Sequence, residues 1–341
     1  MSVTSTVPGR MLAVCLRERP RGALTTSSFE VVNAPIPSPH PGEALVRVDW
    51  LSVDPYLREL LDEEAFITPF EVGQPLWGKG IGTVVRSDDP DQAPGSPVLG
   101  DFPWQGYACL PAGSLTRIDP GPLPTTAYLG ALGSTGLAAY AGLTRIGGVK
   151  PGEVVYISAA AGAVGSVASQ MARAFGCRAF GSAGSTAKVD WLREVARLDG
   201  VFDYKTEPPD QALGRLCPEG IDVYFDNVGG AQLGAVLRRM KRAGRVVLCG
   251  SIGEYDPATA GPLGLVEAVN RRLTLRGFLV SDHRDLLPEF RARMTGWVEA
   301  GLIRVEEQVT EGLENAPEAL AGLFRGANLG KALIRVVHSS P

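Results

Sequence analysis

An apolar, β-branched run that turns directly into small residues and then into a helix leaves a chain few ways to fold. The segment Val154-Val-Tyr-Ile-Ser-Ala-Ala-Ala-Gly-Ala-Val-Gly165 is such a run. It reads as strand, tight turn and helix N-terminus, with the pattern Ala160-x-Gly162-x-x-Gly165. In such a turn Gly162 lets the backbone approach a pyrophosphate and Gly165 lets the helix pack closely on the strand. The first helical turn, from Ala163 and Val164 onward, presents N–H donors to the anion. Ala160 stands where the usual fingerprint has its first glycine, so the surroundings must carry the reading. They do: an amphipathic stretch runs to Phe175, Gly176 suits a C-cap, and a second strand is expected over 178–182. The expected ligand is a dinucleotide; the alternative is an Ala/Gly-rich strand–helix junction with no ligand.

The end of the second strand indicates which dinucleotide. NAD sites place an acidic residue about 20 residues beyond the glycines, on the ribose 2'-hydroxyl. Here the strand runs into Gly181-Ser-Ala-Gly184-Ser-Thr-Ala-Lys188, with no acid and one cation. A small polar turn followed by Lys188 suits a 2'-phosphate, so the expected cofactor is NADPH. The competing reading of Lys188 is a solvated helix residue.

The chain has 341 residues, long enough for two domains. It is 45% apolar and 21% charged with a net charge of −4, an ordinary globular composition that offers no electrostatic reason to bind nucleic acid or anionic membrane. No run approaches the ~18 apolar residues of a membrane span, and residues 1–9 lack the basic and apolar regions of a signal peptide. A cytoplasmic location is expected. The five cysteines are dispersed and contain no C-x-x-C, which indicates neither a disulfide framework nor a structural zinc site.

Residues 11–18, 29–33 and 44–53 read as strands between Pro/Gly-rich breaks, 90–100 as loop, and 104–110 as a further strand. From about Thr125 the character changes. A helix over 127–143 leads into strands at 154–158, 178–182, 201–204, 221–226, 244–250 and 273–280. Helices are expected at 163–175, 186–197, 231–240 and 286–300, and a last strand at 331–337. Such alternation implies an α/β fold with a Rossmann doubly wound parallel sheet. The expected division is a mainly β domain over 1–124, completed by 298–341, and a nucleotide domain over 125–297.

The order of these parts resembles the medium-chain dehydrogenase/reductase superfamily. Five motifs, Ser52-Val-Asp-Pro-Tyr-Leu-Arg58, Gly133-Ser-Thr-Gly-Leu-Ala-Ala-Tyr140, Ala159-Ala-Ala-Gly-Ala-Val-Gly165, Tyr224-Phe-Asp-Asn-Val-Gly-Gly230 and Gly326-Ala-Asn-Leu-Gly-Lys331, narrow the resemblance to its zinc-free prostaglandin reductases and 2-alkenal (double-bond) reductases. The resemblance spans nearly the whole chain and implies a GroES-like catalytic domain at the front. It also implies that Gly184, Lys188, Tyr204 and Asn227 lie along the cofactor and that Cys249, Ser251 and Tyr255 follow their strand toward the nicotinamide half. Phe278, Val280 and Asn328 would then close over it. Turn formation is the alternative role for Asn227 and packing for Tyr204. Zinc-dependent relatives use a Cys and a His-Glu pair as ligands. Trp77-Gly-Lys-Gly-Ile-Gly82 stands at the His-Glu position and His40, His283 and His338 have no matching cysteines nearby, so no metal is expected.

The reaction this leaves is hydride transfer from NADPH to the β-carbon of an α,β-unsaturated ketone or aldehyde, with hydrogen bonds to the developing enolate oxygen. The candidate contacts are Tyr56, Tyr255 and Asn270, with Phe66 and Trp104 lining the substrate pocket. The chain departs from the family here: Phe66 and Asn270 stand where relatives can carry Tyr, and Ala138 where Thr is usual. A quinone reductase, a tailoring enoyl reductase of secondary metabolism and a noncatalytic NADPH-binding protein remain as alternatives. A homodimer is expected from the resemblance and because the edge of an open sheet, such as 273–280, is usually covered.

Overall fold

The computed structural model describes residues 8–65, 68–119, 121–255 and 265–338. The front of the chain is β-structure: β1 Arg10–Leu16, β2 Phe29–Pro35, β3 Glu43–Ser52, β4 Trp77–Ser87, β5 Pro97–Pro103, β6 Tyr107–Pro111 and β7 Thr116–Arg117. Helix α1 (Ser134–Ala141) opens the alternating part. It continues with β8 Val154–Ile157, α2 Ala163–Ala174, β9 Arg178–Ala183, α3 Thr186–Glu194, β10 Gly200–Asp203, α4 Pro209–Leu216, β11 Ile221–Asp226, α5 Gly230–Leu237 and β12 Met240–Leu248. After α6 Val266–Arg271, β13 Thr274–Gly277 and α7 Leu287–Glu299, the tail adds β14 Glu307–Glu311, α8 Ala316–Phe324 and β15 Lys331–Arg335.

Two compact units result. One holds the residues up to Leu129, Gln308–Ala327 and those from Ala332 on; the other holds Gly130–Glu307 and Asn328–Lys331. These limits lie five and ten residues beyond the 124/125 and 297/298 boundaries drawn from the alternation of the sequence, for packing reasons. Thr125–Leu129 forms a 3-10 turn whose Leu129 buries with Ile81, Ile118 and Leu333 of the β unit. Helix α7 turns Phe290 into a ring cluster with Tyr140 of α1, which ties it to the nucleotide unit.

In the first unit the main sheet has the order β14-β15-β3-β4-β5-β7, with β6 also on β3, while β1 and β2 form an antiparallel ribbon. The run Trp77-Gly-Lys-Gly-Ile-Gly82 carries a weak strand signal because alternate residues have no side chain, yet it opens β4. The glycines are there for closeness. A Cβ on Gly80 would lie 2.8 Å from the Trp50 carbonyl oxygen, and one on Gly82 would lie 2.4 Å from that of Arg47. The pairing of β3 with β4 shifts register at Val48/Trp50, between the partners of Gly82 and Ile81, where a bulge bends the strand.

The second unit is a six-stranded sheet of order β10-β9-β8-β11-β12-β13, parallel throughout. Strands buried on both faces read as continuous apolar runs, and every residue of β8 is buried. Tyr156 stacks on Phe202 and Tyr224, with ring centroids 6.0 and 5.2 Å away, and so links β8, β10 and β11 on one face. The order of strands reverses between β8 and β11, where a doubly wound sheet opens a ligand crevice at the carboxyl ends.

Several elements depart from the sequence reading. The helix expected over 127–143 is broken at Gly130 and Gly133; α1 begins at Ser134 and loosens into a π turn over Gly142–Ile146. A Cβ on Gly142 would meet the Phe225 ring at 2.5 Å, so the absence of a side chain lets that turn seat on β11. Helices α4 and α8 carry proline in their first turn, where it is compatible with a helix but reads as a breaker in sequence. The strand expected over 273–280 stops at Gly277, and a 3-10 segment follows over Val280–Leu286.

Candidate dinucleotide site

The turn after β8 is set by close backbone contacts. Ala159 adopts φ +47°, its carbonyl accepts the Gly162 N–H at 2.9 Å, and Gly162 becomes the N-cap of α2. Gly165 has no room for a side chain, because a Cβ there would lie 2.2 Å from the Ala159 carbonyl oxygen and 2.8 Å from Ala160 Cα. A Cβ on Gly162 would meet only the Ala159 oxygen, at 3.2 Å, which leaves the outer side of the turn open. Ala160 is accommodated by the next strand: its Cβ would stand 2.6 Å from a Cβ at Gly181, so the glycine lacking at 160 is in effect supplied at 181.

Gly162, Ala163 and Val164 are partly exposed, and α2 has neither a side-chain cap nor an acid in its first turn. Three successive N–H groups at its start precede the first intrahelical donor, the Ser166 N–H on the Gly162 carbonyl (2.9 Å), and with the positive end of the helix dipole they fit a pyrophosphate. The next corner fits a 2'-phosphate. The Tyr204 ring lies over Gly184, where a Cβ would come 2.7 Å from its hydroxyl, and the Tyr204 N–H donates to the Ala183 carbonyl at 3.1 Å. Helix α3 starts from Ser185 with no acid in its first turn. Burial, and then the neighbouring Lys205 ammonium, hold the pKa of Lys188 below the ordinary lysine value. A dianion placed between two such cations offsets both effects. Lys205 is absent from the sequence reading; its signal was a second cation directly after Tyr204 at the end of a strand.

At the switch point Asn227 is committed to the fold, donating from Nδ2 to the Ser158 carbonyl at 2.8 Å. The 249–255 loop docks on the turn that follows Asn227. Cys249 N–H donates to Asp226 O (2.9 Å), Gly253 N–H to Val228 O (2.9 Å), and the Glu254 carboxylate accepts the Gly230 N–H (2.8 Å). This fixes the 249–255 loop at the carboxyl end of β11. Burial, with a smaller contribution from Asp226, pushes the Cys249 thiol up to about 12, so it is no thiolate nucleophile at neutral pH. The tail comes to the same turn: Gly330 N–H donates to the Ala161 carbonyl at 2.9 Å, and Asn328 Nδ2 to the Gly330 carbonyl at 2.9 Å. Phe278 and Val280 lie just past the carboxyl end of β13, Phe278 with its ring 5.7 Å from that of His283.

Of the remaining candidates, Asn270 is not assembled with these. Asn270 is exposed near the end of α6, and its neighbour Arg271 donates to the Met240 carbonyl at the amino end of β12, the opposite end of the sheet from the crevice. Trp104, expected to line a pocket, is fully buried in the core of the β unit and its Nε1 has no acceptor among the described residues. Tyr56 is half-buried in that unit. Phe66 lies outside the described residues. Among the described residues no group of three or more His, Cys, Asp or Glu converges as a metal site, and no helix is long and apolar enough to cross a membrane.

Known proteins match the chain across both units. A family model described as the N-terminal domain of oxidoreductase matches residues 13–118, and one described as zinc-binding dehydrogenase matches residues 163–296. The chain is 38% identical over 331 residues to the NADP(+)-dependent 2-alkenal reductase of Nicotiana tabacum, covering 95% of this chain and 96% of that protein. It is 36% identical over 328 residues to prostaglandin reductase 1 of Mus musculus, covering 94% and 97% respectively. The crystal structure of CurA from Vibrio vulnificus in complex with NADPH has a TM-score of 0.90 to this structure at 33% identity, covering 96% of this chain and all of that one. The chain therefore belongs to the medium-chain dehydrogenase/reductase superfamily, in the subgroup of prostaglandin and 2-alkenal reductases.

Proposed function

We propose that this chain is an NADPH-dependent reductase of conjugated carbon–carbon double bonds, adding hydride to the β-carbon of an α,β-unsaturated ketone or aldehyde and leaving the carbonyl intact. The observation that carries the reading is the joining of a pyrophosphate turn to a Lys188, Tyr204 and Lys205 corner in one crevice, in a chain similar to reductases of alkenals and prostaglandins. Bound NADPH supplies the hydride from C4 of its nicotinamide. The chain supplies orientation: the first-turn N–H groups of α2 hold the pyrophosphate, Lys188 and Tyr204 the 2'-phosphate, and Asn227, Cys249, Ser251, Phe278, Val280 and Asn328 flank the rest. With C4-deuterated NADPH and an enone, label is expected on the β-carbon of a saturated ketone. Label on a carbinol carbon would mean carbonyl reduction and overturn the reading.

The chain's remaining task is to donate hydrogen bonds to the carbonyl oxygen as charge develops there. Tyr56 and Tyr255 are the proposed donors. Burial, and then Asp54 and Asp101, raise the Tyr56 pKa well above the ordinary tyrosine value, so it is a neutral phenol at physiological pH. One side-chain acid typically contributes about 10²- to 10⁴-fold, and a donor that solvent can replace contributes less. Tyr56→Phe and Tyr255→Phe are each expected to lower kcat by less than about 10²-fold. A larger loss in either variant would identify an indispensable acid.

A homodimer is proposed as well. Strand β13 is an edge of the six-stranded sheet, and Val266 and Val269 beside it are 64% and 75% exposed. An unpaired strand edge with apolar neighbours favours a covering partner. Light scattering should give twice the chain mass; a monomer mass at every concentration would contradict it.

A further inference from the structure

The carboxyl ends of β8 and β11 are joined by a buried polar knot to which the cofactor reading gives no role. Asp226 ends β11 and is fully buried. Its Oδ1 accepts the Tyr224 hydroxyl (2.6 Å), the Ser158 hydroxyl (3.0 Å) and the N–H groups of Val228 (2.9 Å) and Gly229 (3.1 Å). Its Oδ2 is buried without a partner among the described residues. Ser158, equally buried, follows β8. Every polar group of Ser158 is tied to β11 or to the residue after it. Its N–H donates to Phe225 O (3.1 Å), its hydroxyl donates to Asp226 and accepts Asn227 N–H (2.9 Å), and its carbonyl accepts Asn227 Nδ2 (2.8 Å).

The next residue is Ala159, at φ +47°. A Cβ disfavours this left-handed conformation, which glycine adopts freely, so the surroundings of Ala159 must hold it there. Much depends on it. The Ala159 carbonyl receives the Gly162 N–H and is the atom against which Gly165 seats α2. Rotation of this residue to negative φ would swing that carbonyl away and open the turn.

We propose that Ser158 and Asp226 are positioning residues that lock Ala159 in its left-handed conformation and thereby preorganise the 159–162 turn for a pyrophosphate. The inference rests on that turn being the NADPH site. It explains why two polar side chains are buried at the ends of otherwise apolar strands, one of them a carboxylate with four donors on a single oxygen. Preorganisation raises affinity by removing the cost of ordering the turn on binding.

The test measures dissociation constants of NADPH and NADH by nucleotide fluorescence, with thermal unfolding in parallel, on the full-length protein. Ser158→Ala is expected to weaken both nucleotides together by about tenfold, as loss of one or two buried hydrogen bonds allows, leaving their ratio unchanged because both share the pyrophosphate. Adding Ala159→Gly is expected to restore affinity to within about threefold of wild type, because glycine takes positive φ without a Cβ penalty. A merely structural role predicts no such rescue, since the glycine satisfies none of the orphaned groups and adds chain entropy to the unfolded state. Ser158→Ala binding within about twofold of wild type, or a loss that Ala159→Gly fails to reverse, overturns the proposal. Should Ser158→Ala not fold, Asp226→Asn weakens the charge-assisted bonds while keeping their shape. A loss there that is reversed by Ala159→Gly supports the proposal, and unaltered affinity or an unreversed loss overturns it. Wild-type protein that binds neither nucleotide overturns the NADPH reading itself and this proposal with it, an outcome distinct from the others.

Discussion

Gly165→Val is expected to abolish measurable NADPH binding and to destabilise the fold, whereas Gly162→Ala should weaken binding and leave stability nearly intact. The two glycines serve different contacts. At Gly165 even a single Cβ would come 2.2 Å from the Ala159 carbonyl oxygen and 2.8 Å from Ala160 Cα, both backbone atoms that cannot rotate away. Overpacking of this kind typically costs about 1–3 kcal/mol, and here relief requires α2 to lift from β8, which moves the first-turn N–H groups off the anion. At Gly162 a Cβ meets one atom at 3.2 Å and otherwise points to open space. Its cost falls on the ligand, whose pyrophosphate must approach that surface. Calorimetric titration with NADPH, beside thermal unfolding of both variants, separates the two effects. Tight binding by Gly165→Val would overturn this account of the turn.

Lys188→Ala should weaken NADPH selectively by about 1.5–3 kcal/mol, the range for a hydrogen bond to a charged group, which is roughly ten- to a hundredfold in Kd. NADH should be unaffected, because it has no phosphate at the corner formed by Gly184, Tyr204 and Lys205. The lowered pKa of Lys188 gives the physical reason: burial and Lys205 disfavour its charge in the unliganded protein, and a dianion relieves both. The NADPH preference should also decline with salt less steeply than an exposed pair would, since a half-buried cation is screened less. Equal affinities for the two nucleotides in wild type, unchanged in the variant, would remove Lys188 from the site.

Much of the nucleotide unit was legible in the chain because its signals are local. Apolar runs of four to six residues alternating with amphipathic helices specify a parallel sheet, and β8, α2, β9 and β11 fall within a residue or so of their expected limits. The turn at Gly162 and Gly165 is equally local, since its glycines act within a few residues of one another. The missing acid after β9 pointed to the nucleotide for the same reason: Gly184 and Lys188 come from one strand end and the helix that follows it, whereas Lys205, after β10, is brought to Lys188 by the fold.

What the chain did not disclose depends on residues far apart in sequence. Strand β4 is hidden in a glycine-rich run because its glycines answer to carbonyls of β3, 30 and 35 residues earlier. Gly181 compensates for Ala160 across two strands, and Gly330 reaches Ala161 from the other end of the chain. Asn270 is a candidate contact because relatives can carry Tyr at its position, but the direction of α6 carries it to the amino end of the sheet. The pattern of side chains along each segment thus determined most strands and helices of the nucleotide unit, the dinucleotide turn and the class of cofactor. Tertiary structure alone decided how backbones approach and which polar groups meet, because steric contact and hydrogen bonding depend on separations in space that strand order and register set.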